Sequence, residues 1–278
     1  MTEQTFRLYG IFGFPLAHTL SPVMQEAAFR RVGLKAFYLP FAVKPEEFRS
    51  LIRRRKDLLL NGFNVTVPYK EEVLRYLDDL SPSARAIGAV NTVVRRGKKW
   101  LGFNTDESGF ILSLEREGKF KPRGKKILIL GAGGSARAVA YGLAWRGASR
   151  IFIVNRTFGR AEKMISEYKK LFPRVKFSAN TDCDNENLKN ADLVVNATSV
   201  GLRSEDPLLV RPGDFPKKTL FVDLIYNPAE TKFLRLARQS GHRALNGLGM
   251  LVYQGAQAFR LWTGKKAPVE VMRAAIKS

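Results

Sequence analysis

The stretch that decides the fold is Ile127-Leu128-Ile129-Leu130-Gly131-Ala132-Gly133-Gly134-Ser135-Ala136. An aliphatic run followed by a glycine-rich turn and small residues is typical of a β-strand that leads into a helix. The stretch matches the dinucleotide-binding pattern G-x-G-x-x-G/A, with Ala136 in the last place. Gly131 permits a tight turn, Gly133 lets a pyrophosphate approach the backbone, and the helix N-terminus offers N–H groups to the phosphates. We therefore expect a cofactor-binding turn formed by Gly131, Ala132, Gly133, Gly134 and Ser135.

The end of the next strand indicates which dinucleotide this turn binds. An NAD site needs Asp or Glu there, to accept hydrogen bonds from the ribose 2′-hydroxyl. The chain instead reads Val154-Asn155-Arg156-Thr157, and Arg160 follows one helical turn later. Two guanidinium groups can bind a 2′-phosphate, so we expect NADP at this strand end. The alternative is a pair of surface arginines on a basic protein.

Working outward from the turn, short apolar runs alternate with amphipathic helical stretches along the whole chain. This alternation predicts an α/β fold with mostly parallel sheets. The pattern places one domain boundary near residue 105 and a return crossing near residue 240. Near the start of the chain, Ser21-Pro22 predicts a helix with Ser21 as its N-cap and Pro22 at its first position.

The composition excludes several classes of protein. Hydrophobic residues make up 45% and charged residues 26%, which are ordinary values for a globular protein and not for a disordered or collagen-like chain. Cys183 is the only cysteine, and His18 and His242 are the only histidines, so we expect no disulfide and no metal site. No stretch predicts a membrane span or a secretory signal, and we expect a cytoplasmic protein.

The formal net charge of +22 is unusually high. Lys and Arg concentrate at residues 53–56, at 95–99 and between 119 and 126. A nucleic-acid surface is one interpretation, since such clusters gain affinity by releasing phosphate counterions. No aromatic-interleaved basic motif of the RNA-binding kind is present. We therefore favour solvated surface charge, which can steer an anionic substrate, and expect no nucleic-acid partner.

Three N-terminal motifs are polar where a plain core would be apolar. They are the segments 13–22 (GFPLAHTLSP), 64–70 (NVTVPYK), and 88–92 (GAVNT) leading to 104–106 (NTD). Each lies at the end of a predicted strand or at a helix start, where open α/β sheets place their ligands. Their hydroxyl, amide, ammonium and carboxylate groups suit a small polyhydroxylated acid. Taken singly, Ser21 and Asp106 could be helix caps, Lys70 an exposed lysine and Asn64 a turn residue.

The chain resembles the shikimate dehydrogenase family over essentially its full length. The resemblance is carried by the three motifs above together with five further segments: 131–134 (GAGG), 155–157 (NRT), 196–201 (NATSVG), 223–226 (DLIY) and 247–254 (GLGMLVYQ). That family reduces 3-dehydroshikimate to shikimate with NADPH, in the shikimate pathway to chorismate and the aromatic amino acids. The resemblance implies a substrate-binding domain at 1–105 and 240–278, with a mostly parallel sheet, and a Rossmann-type NADP-binding domain at 106–239. It implies an active site in the cleft between them.

The resemblance also implies roles for individual residues. Lys70 and Asp106 would form the catalytic pair, and Lys70 can both stabilise the developing oxyanion and deliver a proton. Thr19 and Ser21 would hold the substrate carboxylate. The ring hydroxyls would be surrounded by Thr66, Lys70, Asn91, Asp106, Tyr226 and Gln254. The cofactor residues would be Gly131, Ala132, Gly133, Gly134, Ser135, Asn155, Arg156, Thr157 and Arg160, with Thr198, Leu224, Gly247 and Met250 near the nicotinamide.

One departure concerns substrate choice, because the family usually has Ser where Thr19 stands. The hydroxyl is retained, while the added methyl narrows the carboxylate pocket and restricts χ1. Two alternatives to a strict shikimate dehydrogenase stay open at this point. The first is a quinate/shikimate dehydrogenase with relaxed substrate choice. The second is a non-catalytic NADP-binding protein that binds nucleic acid through its basic surface. The assembly expected is a monomer or a homodimer.

Overall fold

In the computed structural model, which describes residues 6–16, 19–183 and 188–277, the chain builds two six-stranded sheets. The chain divides into two compact units. The terminal unit comprises the described residues up to Gly109 and from Leu251 onward, and the central unit is Phe110–Met250. The two crossings therefore fall inside helices, at 109/110 and 250/251, rather than at the expected 105/106 and 239/240.

The terminal unit contains a mixed sheet in which one strand runs against the others. Its elements in chain order are β1 (Arg7–Gly13), α1 (Ser21–Arg31), β2 (Ala36–Ala42), α2 (Pro45–Arg53), β3 (Gly62–Val65), β4 (Asp79–Leu80), α3 (Pro82–Ile87), β5 (Thr92–Arg96), β6 (Lys99–Phe103) and α4 (Asp106–Arg116), which crosses into the central unit. The strand order is β2-β1-β3-β5-β6-β4, and only the β3–β5 and β5–β6 pairs are antiparallel. The expectation of a mostly parallel sheet is confirmed.

The central unit has a fully parallel sheet. Its elements are β7 (Lys126–Leu130), α5 (Gly134–Trp145), β8 (Arg150–Val154), α6 (Phe158–Leu171), β9 (Lys176–Asn180), β10 (Leu193–Asn196), β11 (Leu220–Asp223), α7 (Lys232–Gln239) and β12 (Arg243–Leu245). From β12 the chain enters α8 (Leu248–Thr263) and returns to the terminal unit, which ends with α9 (Val269–Ala274). The strand order is β12-β11-β10-β7-β8-β9, the doubly wound order of dinucleotide-binding folds. The chain order reverses between β7 and β10, and ligands bind at such switch points.

The apolar runs form these strands because a parallel sheet is buried on both faces. Ile127, Leu128 and Ile129 of β7 are fully buried. Ile127 and Ile129 pack with small residues of α5 such as Ala136 and Ala140, whereas Leu128 belongs to a second buried cluster. The sequence pattern gave no indication of three elements, β4, β9 and β12. Each is short or polar at most positions and lies at or near a sheet edge, where pairing rather than apolar burial defines the strand.

The first helix begins differently from the sequence prediction. Ser21 is the first helical residue and Leu20 occupies the N-cap, without a side-chain hydrogen bond, so the assignment of Ser21 as N-cap is wrong. Pro22 lies in the first turn as expected, because its missing N–H is not needed there. Gly33 follows the helix with φ of +67°, a left-handed conformation that favours glycine. The side chain of Ser21 consequently does not cap the backbone N–H groups of α1.

No helix in the described part of the chain is long and apolar enough to cross a membrane.

Candidate active site

A buried ion pair lies at the centre of the terminal unit's polar cluster. Lys70 Nζ is 2.6 Å from Asp106 Oδ2, and the two side chains are 11% and 6% exposed. The Lys70 carbonyl accepts a hydrogen bond from the Val90 backbone N–H at 2.8 Å, which ties the lysine to the segment between α3 and β5. Tyr69, stacked on Phe48 with ring centroids 3.9 Å apart, anchors the same turn in the core. Lys70 is therefore a largely buried lysine whose ammonium is paired with Asp106, and not an exposed lysine.

Asp106 opens α4 without serving as its cap. Asn104 Oδ1 accepts hydrogen bonds from the backbone N–H groups of Asp106 and Glu107, at 3.1 and 3.3 Å. Asn104 Nδ2 in turn donates to the Ala89 carbonyl at 2.9 Å. Because Asn104 satisfies the helix start, the Asp106 carboxylate is available to Lys70 and to its other neighbours.

Asn91 and Gln254 complete the cluster around the ion pair. Asn91 Nδ2 lies 2.8 Å from Asp106 Oδ1, 2.9 Å from Thr105 Oγ1 and 3.2 Å from Gln254 Oε1. Gln254 reaches this point because α8 packs closely on α4 at Gly109, where an added Cβ would lie 2.7 Å from the Gln254 Cβ. The structure thus brings together four of the predicted site residues, Lys70, Asn91, Asp106 and Gln254. Their roles toward a substrate stay predictions.

Thr66, Thr19 and Ser21 lie in the same unit as this cluster. The Thr66 backbone N–H donates to the Phe12 carbonyl at 2.8 Å. The Thr66 methyl group packs against Gly13 so closely that a Cβ on Gly13 would overlap it. The Thr19 hydroxyl oxygen accepts a hydrogen bond from the Ser21 N–H at 3.4 Å, so its proton can be donated elsewhere. Ser21 is buried at the positive end of α1. His18, the remaining polar residue of that motif, lies outside the described residues.

Buried polar residues to which the sequence analysis assigned no binding or catalytic role adjoin Asn91. Asn64 Nδ2 donates to the Asn91 carbonyl at 2.9 Å and to Thr92 Oγ1 at 3.0 Å. The Tyr38 hydroxyl donates to Asn64 Oδ1 at 2.7 Å. Asn64 is thus an interior residue of β3 rather than a turn residue. The polar residues inside otherwise apolar strands were the available signal.

In the central unit, the glycine-rich turn leaves β7 at the switch point. Gly131 has φ of +110° and its N–H donates to the Val154 carbonyl at 2.7 Å. A Cβ on Gly131 would lie 3.0 Å from Thr198 Cγ2, so the turn passes close to the loop after β10. Glycine is required there both for the backbone conformation and for this approach.

The same turn fits a dinucleotide pyrophosphate. Gly133 is the N-cap of α5, which has no side-chain cap hydrogen bond and no acidic residue in its first turn. A Cβ built on Gly133 would meet nothing within 4 Å, so the space beside this backbone is open. The first N–H groups of a helix have no partners within it and favour an anion. Residues 131–135 therefore provide a site of the right charge and shape.

The end of β8 fits a 2′-phosphate. Asn155 Nδ2 donates to the Thr157 carbonyl at 2.8 Å and shapes the turn into α6. Arg156 and Arg160 are exposed on this turn, and no carboxylate is present in the segment 154–160. Exposed guanidinium groups at this strand end suit an anion and not a ribose hydroxyl.

A second part of the central unit brings together three of the four remaining predicted cofactor residues. Gly247 packs against the backbone of Leu224, where a Cβ would lie 2.0 Å from the Leu224 oxygen. Leu224, Gly247 and Met250 line a small cavity of about 10 Å³, enough for roughly one water molecule. Tyr226 follows Leu224 by two residues, is half-buried, and belongs to the central unit rather than to the cluster around Lys70.

A buried hydrogen-bond network holds the loop that carries Thr198. The Thr198 N–H and hydroxyl donate to Asn196 Oδ1 at 3.1 and 2.7 Å, and Asn196 Nδ2 donates to Asp223 Oδ1 at 3.1 Å. Thr231 donates to Asp223 Oδ2 at 2.7 Å. Burial raises the pKa of Asp223, and hydrogen bonds from Thr231, the Ile225 N–H and Asn196 offset part of that increase.

Metal ligands are not assembled in the described part of the chain. Residues 6–16, 19–183 and 188–277 contain no group of three or more His, Cys, Asp or Glu side chains placed to hold an ion.

A doubly wound parallel sheet with this glycine turn at its switch point defines a dinucleotide-binding α/β protein. Three family models match the chain: the shikimate dehydrogenase substrate binding domain at residues 11–93, the shikimate/quinate 5-dehydrogenase model at 115–228, and the shikimate 5′-dehydrogenase C-terminal domain at 247–277. A shikimate dehydrogenase (NADP(+)) from Methanopyrus kandleri is 46% identical over 271 residues, 96% of this chain and 93% of that protein. The chain belongs to the shikimate dehydrogenase family.

Solved structures agree with this membership. The crystal structure of shikimate dehydrogenase from Aquifex aeolicus superimposes with a TM-score of 0.90 at 40% identity and covers 100% of both chains. A structure of shikimate 5-dehydrogenase from Thermus thermophilus in complex with NADP(H) and shikimate has a TM-score of 0.85 at 36% identity, with 98% of each chain covered.

Proposed function

We propose that this protein catalyses the reversible, NADP-dependent reduction of 3-dehydroshikimate to shikimate. The observation that carries the proposal is the buried Lys70–Asp106 pair, 2.6 Å apart and hydrogen-bonded through Asn91 toward Gln254. An ammonium held beside a carboxylate that also accepts from a side-chain amide offers both a proton and hydrogen-bond partners for a polyhydroxylated ketone. Family membership and the NADP(+)-dependent relatives support the same reaction.

When bound, NADPH supplies the hydride that reduces the substrate ketone. Negative charge then develops on the ketone oxygen, and Lys70 Nζ stabilises that charge and donates a proton to it. In the oxidative direction Lys70 accepts the proton of the shikimate hydroxyl. Asp106 orients the ammonium through Oδ2 and accepts a hydrogen bond from a substrate hydroxyl. Asn91 fixes the position of the other Asp106 oxygen.

Recognition of the acid uses hydroxyl donors. Thr19 and Ser21 would bind the substrate carboxylate, since the Thr19 oxygen already accepts from the Ser21 N–H and keeps its proton for donation. The positive end of α1 adds a favourable field for an anion. Thr66, Asn91, Gln254 and Tyr226 would bind the ring hydroxyls.

Cofactor recognition uses two features of the central unit. The turn at residues 131–135 would hold the pyrophosphate, and Asn155, Arg156, Thr157 and Arg160 would hold the adenosine 2′-phosphate. Thr198, Leu224, Gly247 and Met250 would lie toward the nicotinamide. The absence of a carboxylate from the segment 154–160 supports NADP over NAD.

The proposal assigns most of the substrate-binding residues to the terminal unit and the NADP-binding residues to the central unit. It involves a small-molecule substrate and no nucleic acid, in the cytoplasm, with the protein acting as a monomer or a homodimer. The basic surface would then serve to attract an anionic acid and a phosphorylated cofactor.

The direct test follows NADPH formation by absorbance with shikimate as substrate, with NAD and quinate in parallel reactions. We expect turnover with shikimate and NADP at a kcat/KM far above that measured with NAD in place of NADP or with quinate in place of shikimate. Equal efficiency with quinate would instead indicate the relaxed quinate/shikimate enzyme. No turnover with either acid would overturn the proposal.

A further inference from the structure

A continuous series of buried hydrogen bonds leads away from the Lys70–Asp106 pair into the sheet of the terminal unit. We name it the polar chain. Its members are Tyr38, Asn64, Thr92, Asn91 and Asp106. The successive donor–acceptor distances are 2.7 Å (Tyr38–Asn64), 3.0 Å (Asn64–Thr92), 3.1 Å (Thr92–Asn91) and 2.8 Å (Asn91–Asp106). Every member is buried.

The sheet register creates this series. Asn64 on β3 and Thr92 on β5 are direct partners in the antiparallel ladder, so their side chains meet on the same face. Tyr38 lies on the edge strand β2, opposite Tyr9 of β1. The polar chain therefore crosses the strands β2 to β5, passing from the sheet edge to the reacting pair.

Two backbone groups fix which way the amides of the polar chain point. The Thr105 N–H, which can only donate, lies 2.7 Å from Asn91 Oδ1, so Asn91 must direct its Nδ2 toward Asp106. The Asn91 carbonyl, which can only accept, lies 2.9 Å from Asn64 Nδ2. Asn64 must consequently direct its Oδ1 toward the Tyr38 hydroxyl.

Donor and acceptor roles then follow along the whole series. Tyr38 donates to Asn64, and Asn64 donates to Thr92 Oγ1. The Thr92 oxygen accepts from Asn64 and lies 3.1 Å from Asn91 Oδ1, which can only accept, and 3.1 Å from Thr105 Oγ1, which can accept or donate. Asn91 donates to Asp106, which accepts on its other oxygen from Lys70. With the Thr92 proton on Asn91 Oδ1, the hydrogen bonds of the polar chain run in one direction, toward the Asp106 carboxylate.

We propose that Tyr38, Asn64 and Thr92 are positioning residues that hold Asn91 and Asp106 in the orientation that Lys70 requires. The inference rests on the proposed function and names residues to which that function assigns no role. Apolar side chains of the same size would fill this part of the sheet without the desolvation cost of burying two hydroxyl groups and one amide. The geometry points to a requirement for orientation as well as packing.

Thr92 offers the sharpest test because two substitutions separate its hydroxyl from its volume. Thr92→Val keeps the volume and removes the hydroxyl that joins the side chains of Asn64 and Asn91, and it leaves the hydrogen bond from Asn64 to the Asn91 carbonyl in place. Thr92→Ser keeps the hydroxyl and removes a methyl group. We expect kcat for shikimate oxidation to fall about tenfold in Thr92→Val and to stay within about twofold of wild type in Thr92→Ser. The KM for NADP should be unchanged in both. A packing role alone predicts the reverse order, since the serine leaves a cavity.

Tyr38→Phe provides the second test, at the far end of the polar chain, with Tyr9→Phe as its matched control. Both tyrosines are buried neighbours beside Trp262, at ring-centroid distances of 6.0 and 5.0 Å, but the Tyr9 hydroxyl interacts with Arg7. We expect kcat to fall about threefold to tenfold in Tyr38→Phe and to be unchanged in Tyr9→Phe. Thermal unfolding of each variant confirms that the enzyme assayed is folded.

The outcomes are separable. Wild-type kcat in folded Tyr38→Phe and Thr92→Val, even with a lowered Tm, would overturn the positioning role and leave the proposed function intact. Equal losses in Thr92→Val and Thr92→Ser would also overturn it. A wild-type protein without shikimate dehydrogenase activity would overturn the proposed function and this inference with it.

Discussion

Replacing Lys70 by Met removes the ammonium and keeps a similar apolar length. If Lys70 stabilises charge on the reacting oxygen and transfers its proton, the loss falls on the transition state, so kcat falls far more than KM rises. General acid–base groups contribute about 10²–10⁴-fold, which corresponds to about 2.7–5.4 kcal/mol of transition-state stabilisation. We expect kcat to fall by at least about 10²-fold.

The same substitution has a separate effect on stability, and the structure gives its size. Lys70→Met leaves the Asp106 carboxylate, whose side chain is 6% exposed, without the cation 2.6 Å away. Stranding one partner of a buried ion pair costs about 3 kcal/mol or more of unfolding free energy. Adding Asp106→Asn to Lys70→Met removes the stranded charge while Asn91 can still donate to the remaining oxygen. The double variant should regain most of the lost stability and none of the lost activity.

Steady-state kinetics of NADPH formation and urea unfolding together decide the matter. The single variants Lys70→Met and Asp106→Asn and the double variant are compared with wild type at saturating NADP and varied shikimate. A folded Lys70→Met enzyme with kcat within about twofold of wild type would refute the acid–base role. Recovery of kcat along with stability in the double variant would show that the pair serves the fold and not the reaction.

Three further outcomes follow from the site. Arg156→Ala should raise the KM for NADP about tenfold or more and barely change the kinetics with NAD. The control Arg174→Ala, which replaces an exposed arginine of the same unit, should change neither. Equal losses with both cofactors would exclude a role of Arg156 in binding the 2′-phosphate. Thr19→Ala should weaken shikimate binding and Thr19→Ser should preserve it, as read from KM; wild-type KM in Thr19→Ala would remove this hydroxyl from the site. Burial raises the pKa of Asp223 above 3.8, so its contribution to stability is complete below that pH and is lost as pH rises through the folded-state pKa. The excess of wild-type over Asp223→Asn stability in urea should therefore shrink as the pH is raised above about 4, and an excess that grows would contradict the assignment.

Much of the central unit was predictable because its signals are local. A strand, a glycine turn and a helix start follow one another within residues 127–136, and each constrains only its immediate neighbours. The cofactor preference was equally local, since it depends on which side chains follow β8. Local signals were less reliable at boundaries: Ser21 was expected to cap α1, yet Leu20 occupies that position. The one-residue difference matters because it leaves the Ser21 hydroxyl unused by the helix.

The cluster around Lys70 could be predicted as a set of residue types but not as an arrangement. Lys70 and Asp106 are 36 residues apart, and Asn91 and Gln254 are 163 residues apart. No pattern of spacing states which carboxylate faces the ammonium or which amide oxygen faces a donor. Asn64 illustrates the limit, because its sequence left a turn residue open as an alternative, and only the pairing of β3 with β5 makes it an interior residue.

By itself, the sequence determined the α/β class, the dinucleotide-binding turn and the family, because these follow from short-range periodicity and from motifs whose residues are adjacent. Only the tertiary structure decided the hydrogen-bond directions between Tyr38 and Asp106. Those directions depend on the register of β3 with β5 and on backbone groups such as the Thr105 N–H, which lie far apart in the chain and meet only when the sheet forms. Hydrogen bonds are short-ranged and directional, so a change of register by one residue would separate Asn64 from Thr92 and leave the same residues without this arrangement.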